Sequence, residues 1–213
     1  MEISQQVSLN TLKRLPLYLN YLKTLDKNGN VSSTEIAKAL GLNDVQVRKD
    51  LSAVSSGGRP KVGYNVETLI CELKEFLGYN SVNPAILIGT GNLGRALMSY
   101  RGFLEYGLNI VAGFDRDATL VGTTVNGKEI LPVGMLSDFC AENHVRIGVI
   151  TTPADSAQEA CDALIGAGIK AIWNFAPAHI KVPDGVLVQN ENMASSLALL
   201  SKHLNEMLEG QED

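Results

Sequence analysis

Ile86-Leu87-Ile88-Gly89-Thr90-Gly91-Asn92-Leu93-Gly94-Arg95-Ala96-Leu97 decides the fold of this 213-residue chain. Three apolar residues run into Gly-x-Gly-x-x-Gly, and a helix-forming Arg-Ala-Leu-Met run follows. A buried parallel strand, a tight turn and a helix start in that order are what a dinucleotide site requires. Gly89 permits the turn. Gly91 has no Cβ and lets the backbone approach a pyrophosphate, and Gly94 lets helix and strand pack closely. The helix start, from Thr90 through Asn92 and Leu93, offers free N–H groups and a partial positive charge to phosphates. A lone Gly-x-Gly-x-x-Gly is weak evidence, so its context carries the reading. The next apolar strand, Leu108–Phe114, ends in Asp115, 21 residues after Gly94. That spacing suits a carboxylate on the adenosine ribose. The alternative is a structural turn followed by an ordinary end-of-strand acid, and the shared register of strand, turn, helix and acid argues against it. Arg116 could accept a 2′-phosphate, but Asp115 beside it favours NAD(H) over NADP(H).

Downstream, strands and helices alternate. A helix through Met98 and Leu104 leads to strand 108–114, then to a loop with Gly122 and Gly127 and a short strand Ile130–Pro132. A helix over 134–143, a strand Val145–Ile150, a helix over 154–166, a strand Lys170–Phe175 and a short strand Val186–Val188 complete the pattern. This predicts an α/β, doubly wound parallel sheet with right-handed crossovers. Ligands bind beyond the carboxyl ends of such strands. Thr152 and Pro153, and the run Asn174, Phe175, Ala176 and Pro177, therefore join the cofactor-binding candidates.

Upstream, the charge changes sign. Residues 1–65 hold nine Lys/Arg and five Asp/Glu, a balance of +4, whereas residues 66–213 sum to −9. A basic module joined to an acidic one suggests that the first half faces nucleic acid. Leucines 9, 12, 15, 19, 22 and 25 mark a helix over 8–25, with Pro16 placing a kink or a late start inside it. Ser32 with Glu35 forms a capping box for a short helix to Leu40. After Gly41, Asn43 or Asp44 caps a third helix to about Val54. Helix, Gly-containing turn and helix make a helix-turn-helix. Val47, Leu51 and Val54 form the inner face of the third helix, and Gln46, Arg48, Lys49 and Ser52 the outer one. The N-terminal part of that helix would enter the major groove, where Gln pairs with adenine and Arg or Lys with guanine. Residues 55–66 then read as a Gly-rich turn and an alternating strand, a β-wing with Arg59 and Lys61 at its tip to meet phosphate or the minor groove. The DNA-binding candidates are Ser33, Gln46, Arg48, Lys49, Ser52, Arg59 and Lys61. The competing reading is a three-helix bundle with a solvated basic face and loop.

Domain boundaries fall in Gly- and Pro-containing loops. The reading places a winged helix-turn-helix domain at 1–78, a Rossmann domain at 79–190 and a C-terminal dimerisation helix at 191–213. That last helix carries Leu197, Leu200, Leu204, Met207 and Leu208, which either pack on the sheet or dock on a second copy. The three cysteines are widely spaced and form no Cys-x-x-Cys, so they read as buried thiols of a reducing compartment, with neither a metal nor a disulfide expected. The N-terminus lacks the pattern of a secretory signal. No apolar run has the length of a membrane span. A cytoplasmic location follows as the expectation.

Taken together, Ser32–Ala37, Gln46–Ser52, Val62–Val66, Gly91–Leu97, Phe114-Asp115, Pro153-Ala154 and Asn174–Pro177 resemble the Rex family of redox-sensing transcriptional repressors. The resemblance implies a homodimer with winged N-terminal domains, Rossmann domains that bind NADH or NAD+ at one site, and C-terminal helices swapped between subunits. It implies binding to palindromic double-stranded operator DNA, with release by NADH. Two departures stand out. The family's aromatic Ser-Tyr-Phe-Gly run is replaced by Ser52-Ala53-Val54-Ser55, which alters the wing. The family's Asp-Phe pair at the start of the final helix is here Asn192 and Met193. Met193 would take the place of the aromatic that approaches the partner's nicotinamide. Arg14 and Asn192 hold the switch positions; Asn192 cannot form the charged pair, so the switch is expected to be weaker or to use Glu191, and Arg14 is expected to lack its ion pair.

The rival reading is an NAD-dependent dehydrogenase. It needs a general acid or base near the nicotinamide, and His179, just after Asn174–Pro177, is the candidate. Only about two dozen residues follow the last strand, too few for a substrate domain, so the nucleotide reads as a signal rather than a reagent.

Overall fold

The computed structural model describes residues 7–209. The chain falls into two compact units that divide between Ser81 and Val82.

In the first unit, α1 (Leu9–Leu22) starts at Ser8, whose hydroxyl accepts the Thr11 N–H, and runs on through Pro16. The leucine stripe buries only from Leu15 onward: Leu15, Leu19 and Leu22 are inside, whereas Leu9 and Leu12 are exposed. Thr11 and Tyr18 are buried in their stead. After β1 (Asn30–Val31), α2 (Ser33–Leu40) opens with the expected capping box and ends at Gly41 in the left-handed conformation that favours glycine. Asn43 caps α3 (Asp44–Val54). Ile36, Val47 and Leu51 join the α1 residues and Leu69 and Leu73 of α4 (Val66–Phe76) in one core.

The wing is shorter than the sequence pattern suggests. Only β2 (Tyr64–Asn65) pairs with β1, antiparallel. Val62 lies exposed in the turn, and Val66 already opens α4 and is buried. Arg59 and Gly63 exchange both backbone hydrogen bonds at 2.9 Å. Gly63 has φ +83°, and a Cβ there would run into the Val31 carbonyl, so the chain must turn before a longer strand can form.

The second unit is a sheet covered by helices. Its elements are β3 (Asn83–Ile88), α5 (Asn92–Ser99), β4 (Leu108–Asp115), β5 (Thr124–Val125), β6 (Lys128–Pro132), α6 (Leu136–Glu142), β7 (Ile147–Ile150), α7 (Ala157–Gly166), β8 (Ala171–Asn174), β9 (Leu187–Asn190) and α8 (Met193–Glu209). The strand order is β5-β6-β4-β3-β7-β8-β9. Every pairing is parallel except the β5–β6 hairpin. Counting the parallel strands alone gives 3-2-1-4-5-6, the order of dinucleotide-binding sheets, with its switch point between β3 and β7. Central β3 is buried on both faces. Ile86 and Ile88 pack with Phe114 and the helices on one side, and Ala85 and Leu87 with Met98 and Ile110 on the other.

Three expectations are corrected. The helix after the glycine turn stops at Ser99, not near Leu104. Tyr100 is extended, its ring lies where a Cβ on Gly102 would be, and a 3-10 turn, Arg101–Tyr106, packs Phe103 edge-on against it at 4.8 Å. Cys140 and Cys161 are buried, but Cys71 is exposed on α4. Arg14, expected to go without the pair that Asn192 cannot supply, has another partner, Asp50 of α3. Among the described residues, no helix is long and apolar enough to cross a membrane, and no cluster of three or more His, Cys, Asp or Glu could hold a metal.

Candidate functional site

The glycine turn is held from two sides. Gly89 has φ +93°, and a Cβ on it would stand 2.9 Å from Thr152. The Thr151 hydroxyl donates to the Gly89 carbonyl at 2.6 Å. Thr90 is fully buried. Its N–H and hydroxyl donate to Asp115 Oδ2 at 2.6 and 2.8 Å, and the Asp117 N–H donates to Oδ1 at 3.0 Å. Burial pushes the Asp115 carboxyl up, but the Asp117 and Thr90 donors outweigh it and hold its pKa below the ordinary carboxylate value. Asp115 is therefore a fixed anion at the end of β4, with acceptor capacity left on Oδ1. Gly91, at the N-cap of α5, supplies no side-chain cap, and a Cβ there would meet nothing within 4 Å. The first N–H groups of α5 are thus left for a ligand. Gly94 is the packing glycine, since a Cβ on it would overlap the Gly89 carbonyl.

A cleft of about 420 Å³ opens beside this turn. Of the residues singled out in the sequence, Gly89, Gly91, Asp115, Arg116, Thr152 and Pro153 line it. Sequence reading missed Leu120, Val133, Ser156 and, on α7, Glu159, Ala160 and Ala163. The alanines at steps of three after Thr-Thr-Pro were the available signal. Exposed Arg116 reaches Ser156 at 3.1 Å and Glu159 at 3.8 Å. The Thr152 hydroxyl is buried without a partner. An unpartnered hydroxyl, open space over Gly91 and an oriented carboxylate fit the adenosine diphosphate part of a nicotinamide dinucleotide. Asn92 and Leu93 lie in the first turn of α5, outside the cleft wall.

Asn174, Phe175, Ala176, Pro177 and Met193 are not part of this cleft wall either. Asn174 is a buried hub. Its Nδ2 donates to the Ala178 carbonyl and to Asn190 Oδ1, and its Oδ1 accepts the Ala176 N–H. Glu191 is fastened as well: its N–H donates to the Asn174 carbonyl, and its Oε1 accepts the Trp173 indole N–H at 2.8 Å. Phe175 packs on Trp173 with ring centroids 4.6 Å apart. The strand end that carries the 174–178 loop thus also carries the start of α8, where Asn192 Oδ1 accepts the Ser195 N–H. None of the residues of α8 is buried. His179 is exposed and outside the cleft.

In the first unit, Gln46, Arg48, Lys49 and Ser52 are all exposed along α3. Ser33, Arg48, Arg59 and Lys61 border one groove between α2, α3 and the wing, while Gln46 and Lys49 border another on the α1 side. What fixes α3 is a buried polar cluster that sequence reading did not find. The Asp50 carboxylate accepts Arg14 Nε at 2.7 Å, an Arg14 terminal nitrogen at 2.9 Å, the Tyr18 hydroxyl at 2.7 Å and the Thr11 hydroxyl at 2.9 Å. Burial raises the Asp50 pKa, but the Arg14, Tyr18 and Thr11 hydrogen bonds together lower it below the ordinary value. Burial and the Asp50 carboxylate push the Tyr18 phenol up to about 12.

Comparison with known proteins agrees with both halves. A family described as "CoA binding domain" matches residues 80–178, and one described as "Putative DNA-binding protein N-terminus" matches residues 6–52. The redox-sensing transcriptional repressor Rex of Porphyromonas gingivalis is 44% identical over 199 residues, 92% of this chain and 91% of that protein. The crystal structure of RSP in complex with β-NAD+ and operator DNA superposes with a TM-score of 0.88 at 38% identity, covering 100% of this chain and 97% of that one. RSP in complex with β-NADH superposes with a TM-score of 0.87 at 38% identity, covering 98% of this chain and 99% of that one. Identity of this order over nine-tenths of the length, with the same two-part fold, means that the chain belongs to the Rex family.

Proposed function

We propose that this chain is a redox-sensing transcriptional repressor, which holds operator DNA with its first unit and releases it when NADH occupies the second. The observation that carries the reading is the pairing, in one chain, of a glycine turn tied to a fixed Asp115 anion with a winged helix whose α3 exposes Gln46, Arg48, Lys49 and Ser52. The glycine turn and α5 hold the pyrophosphate and Asp115 holds the adenosine ribose, with Arg116, Thr152 and Pro153 around them. Asn174–Pro177 and Met193 serve the nicotinamide end. The reduced ring is neutral and the oxidised ring cationic, which gives one site the means to tell them apart.

Residues 1–78 form the DNA-binding domain, 79–190 the nucleotide-binding domain and 191–213 the dimerisation segment. On α8, Met193, Leu197, Leu200, Leu204, Met207 and Leu208 are exposed by 48–66%. A stripe of this kind calls for an apolar partner, and a second copy supplies one with the two-fold symmetry that a palindromic operator needs. The protein acts in the cytoplasm, where its thiols stay reduced. We read it as a regulator rather than an enzyme, because the relatives that match along nine-tenths of its length are named transcriptional repressors.

Regulation is a population shift between a DNA-bound and a released arrangement, driven only by the difference in nucleotide affinity between them. The test is a fluorescence-polarisation titration on a palindromic promoter fragment at fixed salt. Micromolar NADH should release the DNA and NAD+ should not. DNA binding indifferent to both nucleotides would overturn the sensor reading.

The charged residues separate by salt dependence. Arg59→Ala or Lys61→Ala should weaken binding uniformly across sequences and reduce the slope of log affinity against log salt by about one. Arg48→Ala should also relax sequence preference, at about 1–3 kcal/mol. An unchanged salt slope in the wing variants would remove the wing from the interface.

A further inference from the structure

We propose that the cleft is a receptor for the 5′-adenosine diphosphate moiety itself, so that free ADP enters it and antagonises NADH. The proposal rests on the nicotinamide-nucleotide reading given above. The groups for the adenosine diphosphate half lie in and beside one open cleft of about 420 Å³. Gly91 offers the uncapped start of α5, and Asp115 is a fixed carboxylate with acceptor capacity to spare. Leu120, Val133 and the α7 alanines Ala160 and Ala163 are its apolar lining. Thr152 also lines the cleft, and its hydroxyl is buried at the cleft wall without a partner. A buried hydroxyl without a partner is unfavourable, and a ligand that bonds it recovers the lost interaction.

The groups assigned to the nicotinamide are elsewhere. Asn174–Pro177 and Met193 do not line the cleft, and Asn174 and Glu191 are committed to each other and to their own loops. Binding strength and redox discrimination are therefore carried by different residues. A ligand that fills only the adenosine diphosphate half has equal affinity for the two arrangements and shifts neither. ADP thus competes for occupancy without acting as a signal. The NADH concentration needed for release rises with free ADP, so the repressor reads the redox ratio against the adenylate level.

The test uses the full-length protein with ADP as the probe. ADP should displace NADH completely, as followed by NADH fluorescence, and should leave operator DNA bound when added alone. At ADP ten times its own Kd, the NADH concentration for half-release should rise about elevenfold by mass action. Thr152→Val should weaken ADP and NADH by the same factor, whereas Met193→Ala should weaken NADH alone. If millimolar ADP leaves a normal NADH titration in place, or if ADP alone releases DNA, the proposal fails and the sensor reading stands. If NADH itself does not bind, both fail.

Discussion

Replacing Asp50 with Ala should destabilise the DNA-binding unit by about 3–5 kcal/mol, the range for removing one partner of a buried ion pair. Four hydrogen bonds end on this carboxylate, and the Arg14 side chain is only 17% exposed. The variant leaves a guanidinium, a phenol and a hydroxyl facing a gap. Because the bonds join α1 to α3, the orientation of the exposed α3 face goes with them, and operator affinity should collapse. The single tryptophan, Trp173, lies in the second unit. Tryptophan fluorescence therefore follows that unit alone, while circular dichroism follows both. The variant should show an early dichroism transition that the fluorescence lacks. Coincident transitions at the native temperature would refute the role given to Asp50.

The same cluster sets two pH limits. The folded Asp50 pKa lies below its unfolded value, so its contribution is complete above about pH 4 and is lost as pH falls through the folded value. Tyr18 is shifted the other way, to about 12. Its contribution is complete below about pH 10 and is lost as pH rises toward 12. Tyr18→Phe should remove the alkaline loss and leave the acid one.

Gly94→Ala should have the largest effect on nucleotide binding. A Cβ at Gly94 would overlap the Gly89 carbonyl and stand 2.9 Å from the Thr151 hydroxyl and 3.0 Å from a Leu87 methyl. Two of those neighbours are the turn and the residue that pins it, so α5 must move away from the phosphate position. Overpacking of this kind costs about 1–3 kcal/mol. If that cost falls on the bound geometry, NADH affinity drops by about five- to 150-fold, and DNA binding no longer responds to NADH. Calorimetry with NADH measures the loss. Native affinity in the variant would show that helix and turn do not need this contact.

The sheet and its turn were legible because they depend on local rules. Strand β3 is a continuous apolar run, the glycines sit at fixed offsets, and Asp115 ends the next strand. The helix caps were legible for the same reason, since Ser32 and Glu35 satisfy each other within one turn. Long-range pairings were not. Asp50 sits among Arg48, Lys49 and Ser52 and reads as one more solvated polar residue. Only its placement against α1, 36 residues from Arg14, makes it the buried centre of a cluster. The α7 part of the cleft lining and the Trp173–Glu191 bond arise from the crossovers of the sheet, which no local pattern encodes. The wing was overextended because Val62 and Val66 alternate like strand residues, although Gly63 turns the chain between them.

Linkage gives the most direct test of the central claim. If NADH weakens operator binding by some factor, operator DNA must weaken NADH binding by the same factor. NADH affinity should be measured by calorimetry on the free protein and on the protein saturated with a palindromic operator, at one salt concentration. The account predicts weaker NADH binding in the presence of DNA, by the factor seen in the polarisation titration, and no such weakening of NAD+. Equal NADH affinity with and without operator would contradict it.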